Sequence, residues 1–126
     1  MKIIINHSSM VPIYEQIVNQ IKKMIVSGEL NEYDALPSVR LLSKELKISA
    51  LTVKKAYDYL EEEGFTSTIH GKGTYVKVLN AQLVYEEQKK ELEYELERIV
   101  SKAKMCGIQK QEIKELLNIL LEESND

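Results

Sequence analysis

The stretch that decides the fold is LPSVRLLSKELKISALTVKKAYDYLEEEGF, residues 36–65. Pro37 followed by Ser38 predicts a helix start, because a serine hydroxyl can accept from a first-turn amide that has no partner inside the helix. Leu41, Leu42 and Leu46 supply the apolar side of a short helix of about nine residues. Residues 47–49, KIS, break it, and Ser49 caps a second start. Val53, Ala56, Tyr57 and Leu60 share one face of that second helix, and Gly64 ends it. A short helix, a turn of about three residues and a longer helix make a helix-turn-helix arrangement.

Upstream, PIYEQIVNQIKKMIVSGEL (residues 12–30) has apolar residues at 13, 17, 21, 24 and 25, a helical stripe. Pro12 suits a first turn and Gly28 a stop, which predicts a helix over 12–27. Downstream, FTSTIHGKGTYVKVL (residues 65–79) sets Phe65, Thr66, Thr68 and Ile69 against Thr74, Tyr75, Val76 and Val78 across Gly71-Lys72-Gly73. That pattern predicts a β-hairpin, and a hairpin directly after a helix-turn-helix is a wing. From residue 81 apolar or small residues fall at 81, 85, 92, 96, 99, 103 and 106, with Gln88 completing the spacing. This is a heptad-like stripe on a helix of about 37 Å. Gly107 breaks it, and Ile113, Leu116, Leu117 and Leu120 mark a further helix. The expected fold class is mostly α with a small β wing (α+β): a winged helix-turn-helix domain over 1–78, then a C-terminal helical hairpin over 79–126 used for dimerisation.

A chain of 126 residues holds one domain, or a small domain with an appendage. Its single cysteine, Cys106, excludes an internal disulfide and a multi-cysteine metal site. On its heptad stripe this thiol is expected to be buried or at an interface rather than to act as a redox sensor. No apolar run approaches bilayer length, and MKIIINHSS is too poor in apolar residues for a signal peptide, so the cytoplasm is the expected location. The net charge of −3 hides an asymmetry. Residues 1–78 hold ten Lys/Arg against nine Asp/Glu, a net of +1, whereas residues 79–126 hold seven against eleven, a net of −4. Within 38–57, Arg40, Lys44, Lys47, Lys54 and Lys55 face one acid, Glu45, a net of +4. Screening over about 10 Å makes this local charge the relevant quantity for a phosphate-facing surface.

HGKGTYV, residues 70–76, asks for its own reading. A Walker loop needs glycine, four residues, then Gly-Lys-Ser/Thr. Here six residues separate Gly64 from Gly71, and Gly73 follows Lys72. The loop also lies between two strands, so no helix N-terminus meets a phosphate. A purely structural hairpin needs the glycines but not a lysine at the tip. The favoured reading is a wing whose Lys72 and His70 reach phosphate or the minor groove, with Gly71 letting the backbone come close.

The run PIYEQI…SGEL…LPSVRLLSKELKISALTVKKAYDYLEEEGF…HGKGTYV resembles the winged helix-turn-helix domain of the GntR family of bacterial transcription regulators over residues 12–76. The short two-helix tail resembles the YtrA-like branch. The resemblance implies a homodimer built on the C-terminal helices, and control of a transporter operon. Two departures stand out. Leu41 occupies a position where family members usually carry glutamate, so the capping box with Ser38 is incomplete. Ala50-Leu51 stands where many carry Arg or Asn, which bears on the operator sequence more than on the activity.

Candidate DNA-binding residues follow from these patterns. Arg40, in the first turn of the short helix and at the family's arginine position, is expected to contact phosphate or guanine. Ser49 and Thr52 begin the recognition helix, where side chains meet base edges; for Ser49, capping and contact are compatible. Lys54 and Lys55 point about 100° apart, so only one can face the groove squarely, and Lys54 matches the family's basic position. His70, Gly71 and Lys72 form the wing tip; His70 is read equally well as a merely exposed side chain. Lys44 and Lys47 are expected to be peripheral. Val53, Ala56, Tyr57, Leu60, Phe65 and Ile69 are expected in the core, and Glu61–Glu63 in solvent. Leu92, Leu96, Ile99, Ala103, Ile113 and Leu117 are expected to form the dimer contact.

The function these features favour is a sequence-specific regulator, a repressor by family, binding an inverted-repeat DNA operator as a homodimer. The alternative is a winged-helix protein–protein adaptor, which would not need basic residues concentrated at the recognition helix and wing. An enzyme is excluded by the lack of metal-ligand spacing, nucleophile elbow or nucleotide loop, and no cofactor, metal or membrane contact is indicated. A tail of 48 residues cannot by itself enclose a ligand pocket of about 300–1,000 Å³, so a small-molecule effector is compatible with the chain but not indicated by it.

Overall fold

The computed structural model describes residues 1–77 and 81–124. Val78, read above as a hairpin residue, lies outside the described residues, as does the 78/79 boundary. The element order is α1 (Ile13–Ser27), α2 (Val39–Leu46), α3 (Ala50–Glu62), β1 (Thr66–Ile69), β2 (Gly73–Val76), α4 (Ala81–Met105) and α5 (Lys110–Glu123). The chain forms two compact units, Met1–Glu87 and Gln88–Asp126.

In the first unit, α1 buries Ile17, Val18, Ile21, Met24 and Ile25, the stripe its periodicity requires. It ends at Gly28, whose backbone is left-handed (φ 86°) and whose amide donates to Ile25 O. Against that stripe α3 packs Val53, Ala56, Tyr57 and Leu60, all nearly or fully inaccessible. Phe65 fills the base of this core with no exposed surface, immediately ahead of β1 rather than within it. The hairpin pairs Thr66 with Val76, Ser67 with Tyr75, Thr68 with Thr74 and Ile69 with Gly73. Alternation along β2 buries Thr74 and Val76 and turns Gly73 outward. Ile69 is the correction here: it is 48% exposed, because this alternation puts it on the outer side of the wing with Ser67.

Three long-range features carry no local signal in the sequence. The segment from Tyr33 to Leu36 runs along β2, through Tyr33 N to Val76 O (2.8 Å), Val76 N to Asp34 O (2.9 Å) and Leu36 N to Thr74 O (2.9 Å). Residues 3–6 dock on α1: the Gln20 amide accepts from Ile4 N and donates to Ile4 O, and Gln16 does the same with Asn6. That docking buries Ile3. Lys22 is buried, ion-paired with Glu63 and, at 3.5 Å, with Glu87, and lies 5.2 Å from the Phe65 ring centre. The expectation that Glu61–Glu63 faces solvent therefore fails for Glu63, because a buried ammonium needs a counter-charge. Glu61 is exposed but accepts from Thr68 N.

The Tyr57 hydroxyl donates to Pro37 O at 2.7 Å and ties α3 to the residue before the cap of α2. Burial, and after it the Glu45 carboxylate, push this phenol above its ordinary value of about 10. Tyr57→Phe is expected to lower stability by about 1 kcal/mol at neutral pH, read from the denaturant midpoint. The folded phenol ionises at higher pH than the unfolded one, so its contribution is complete below pH 10 and declines as pH rises above 10. The variant should show a shallower loss of stability across that alkaline range.

Candidate nucleic-acid interface

The candidate residues lie on the first turn of α2, the turn into α3, the leading half of α3 and the wing, all within the first unit. Ser38 caps α2 by accepting from Leu41 N at 3.0 Å. Arg40, one residue into the helix, projects into solvent. Leu41 is 47% exposed rather than part of the apolar side, so α2 holds to the core through Leu42, with Leu46 half-buried. The helix-turn-helix bend falls at Lys47, whose backbone is left-handed (φ 56°) and whose amide closes on Ser43 O.

Ser49 then caps α3. Its hydroxyl accepts from Thr52 N at 3.1 Å and is hydrogen-bonded to Thr52 Oγ1 at 2.7 Å. The first two residues of the helix, Ala50 and Leu51, are exposed. The lysines part company as their 100° separation requires. Lys54 reaches Asp58 at 2.8 Å, an exposed pair one turn apart that contributes little to stability. Lys55 turns toward α1 and rests 4.1 Å from the Tyr14 ring centre, and Tyr14 also meets Tyr59 at 5.9 Å. The cation on Tyr14 and the acid beside Lys54 were missed from the sequence. An i, i+4 Lys–Asp spacing was there to be read, whereas the Tyr14 contact depends on how α1 crosses α3.

At the wing tip His70, Gly71 and Lys72 are all exposed. Gly71 (φ 78°) and Gly73 (φ 120°) take backbone conformations that a side chain would strain. The turn is closed by Lys72 N donating to Ile69 O at 2.9 Å, and the Tyr75 hydroxyl braces it by donating to Lys72 O at 3.0 Å. The tip lysine thus stands on a supported loop. Arg40, Ser49, Thr52, Lys54, Lys55, His70, Gly71 and Lys72 all belong to the first unit.

The second unit is a pair of helices with much of its apolar surface uncovered. Ala103 is buried and Ile113 half-buried near the bend at Gly107. Leu92 (54%), Leu96 (41%), Ile99 (56%) and Leu117 (47%) are exposed. Cys106 is exposed too, not buried, because it sits where the last turn of α4 gives way to Gly107. Among the described residues no helix is long and apolar enough to cross a membrane.

Comparison with known proteins agrees with this architecture. Residues 13–76 match the family described as bacterial regulatory proteins, gntR family. The HTH-type transcriptional repressor YtrA of Bacillus subtilis is 34% identical over 111 residues, 88% of this chain and 85% of YtrA. A transcriptional regulator from Oenococcus oeni, 32% identical, superposes with a TM-score of 0.71 over 93% of this chain and 97% of its own. The AraR DNA-binding domain in complex with operator ORE1 is 25% identical, with a TM-score of 0.51 over 60% of this chain and 93% of its own. Matched over half of its length by this family and over most of it by YtrA, the chain is a member of the GntR family in its YtrA-like branch, a DNA-binding transcription regulator and not an enzyme.

Proposed function

We propose that the protein is a cytoplasmic repressor that binds an inverted-repeat operator as a homodimer. Residues 1–78 form the DNA-reading part and residues 79–126 the dimerisation region. Each subunit lays the leading turn of α3 in the major groove, with Arg40 and Lys54 along it and the wing tip on the neighbouring backbone. The observation that carries this reading is the exposed cationic surface of α2, α3 and the wing, where Arg40, Lys44, Lys47, Lys54 and Lys72 all lie open to solvent. The operator-bound AraR domain, similar in fold, supports double-stranded DNA as the partner. The uncovered leucines and isoleucines of α4 and α5 support self-association, since side chains of this size are stabilised by burial. The YtrA-like resemblance supports a transporter operon as the regulated target.

The test is selection of bound duplexes from a random pool at two salt concentrations. Recovery of one inverted repeat at both, with half-sites about one helical turn apart or slightly more, is the expected result. Binding that yields no motif and vanishes at the higher salt would sink the proposal and favour the adaptor alternative.

On the selected operator, Lys72→Ala should weaken binding to all sequences alike and reduce the slope of log K against log salt by about 0.9. An unchanged slope would leave the wing tip without a phosphate contact. Ile99→Glu should turn the dimer into a monomer in sedimentation at micromolar protein while leaving the fold of Met1–Glu87 intact. A dimer that survives this substitution would show that the stripe on α4 is not the contact.

A further inference from the structure

Resting on the regulator reading above, we infer that the leading turn of α3 reads thymine methyl groups through the apolar pair Ala50 and Leu51. Each half-site then carries thymine at the base pair beneath that turn.

Leu51 is 79% exposed, whereas the apolar residues α3 buries are at most 4% exposed. Ala50, beside it, is exposed as well. Neither belongs to the hydrophobic core. The polar groups around them are already engaged within the protein. The Ser49 and Thr52 hydroxyls bond each other, and Ser49 also accepts the Thr52 amide. Lys55, one turn along the same stripe as Leu51, is held over Tyr14. The group that projects from this turn with nothing to satisfy is a branched hydrocarbon.

A major groove offers donors, acceptors and one apolar feature, the C5-methyl of thymine. Laying Leu51 on that methyl removes apolar surface of both partners from water. Laying it on guanine O6 and N7, or on cytosine N4, strips those atoms of water and returns no hydrogen bond. The leucine therefore discriminates in both directions, favouring thymine and rejecting the polar edges. The Arg or Asn common in the family at this turn would read polar atoms; its replacement by Ala50-Leu51 changes what is read, and does not leave the turn blind.

The experiment uses the full chain and the operator recovered by selection. Each thymine is replaced by deoxyuridine, which lacks only the methyl, in symmetric pairs so that both half-sites change together. At one pair, affinity should fall about fourfold per methyl, hence about sixteenfold for the two half-sites. Leu51→Ala should abolish most of that sensitivity while melting at the same temperature as the parent chain, because the leucine touches no core. Tight, specific binding that is indifferent to every deoxyuridine would overturn the inference and leave the regulator reading standing. So would a Leu51→Ala protein as sensitive as the parent. Failure to recover any motif would remove the regulator reading, and this inference with it.

Discussion

A helix of thirteen residues has one face to bury, and α3 commits that face entirely to its own domain. Val53, Ala56, Tyr57 and Leu60 lie against α1 and the short α2, at or near full burial. Everything at the surface follows from that constraint. Once the four are inside, the helical period places Leu51, Lys54, Lys55 and Asp58 outside, and the serine cap leaves the first turn standing free. The Tyr57 hydroxyl extends the constraint to α2, because its bond to Pro37 O fixes the point from which Ser38 starts that helix. Packing thus orients the exposed leading turn of α3, although the packed side chains themselves are hidden from solvent.

Helix boundaries were the most legible part of the sequence. Ser38 and Ser49 each accept an amide three residues on, and Gly28 closes α1 in the left-handed conformation, all local chemistry with local signatures. What could not be read were pairings between distant segments. The strand-like run at 33–36 follows from hydrogen bonds to β2 some forty residues later, and nothing in NEYDALP announces it. The docking of residues 3–6 depends on two glutamines of α1 acting through both ends of their amides. Glu63 looked like one more solvent-facing acid until Lys22, forty-one residues earlier, was found buried beside it. Ile69 and Leu41 failed for a simpler reason: a β-branched or leucine side chain at the margin of an element says nothing about which side of it is wet. The candidate DNA contacts were legible as residue types at motif spacings, and Asp58 stood at a readable spacing from Lys54, but the Tyr14 ring that holds Lys55 did not.

Charge and apolar surface are partitioned between the two units. The basic residues of α2, α3 and the wing lie at the exposed surface of the first unit, while the acidic tail carries an open apolar stripe. An acidic tail has no affinity for a phosphate backbone. Its exposed leucines and isoleucines are instead surfaces that burial against protein would stabilise.

The freedom of the leading turn of α3 also bears on how such a regulator changes its target over generations. Most substitutions are constrained by stability, because domains fold with only about 5–15 kcal/mol in hand. Ala50 and Leu51 are exposed and lie outside the hydrophobic core, so their replacement creates no cavity in it. The two exposed positions can drift to new side chains without a compensating change in the core. A duplicated copy of this chain could acquire a different operator by mutation at a pair of codons, while the packing that holds the turn in place stays as it is.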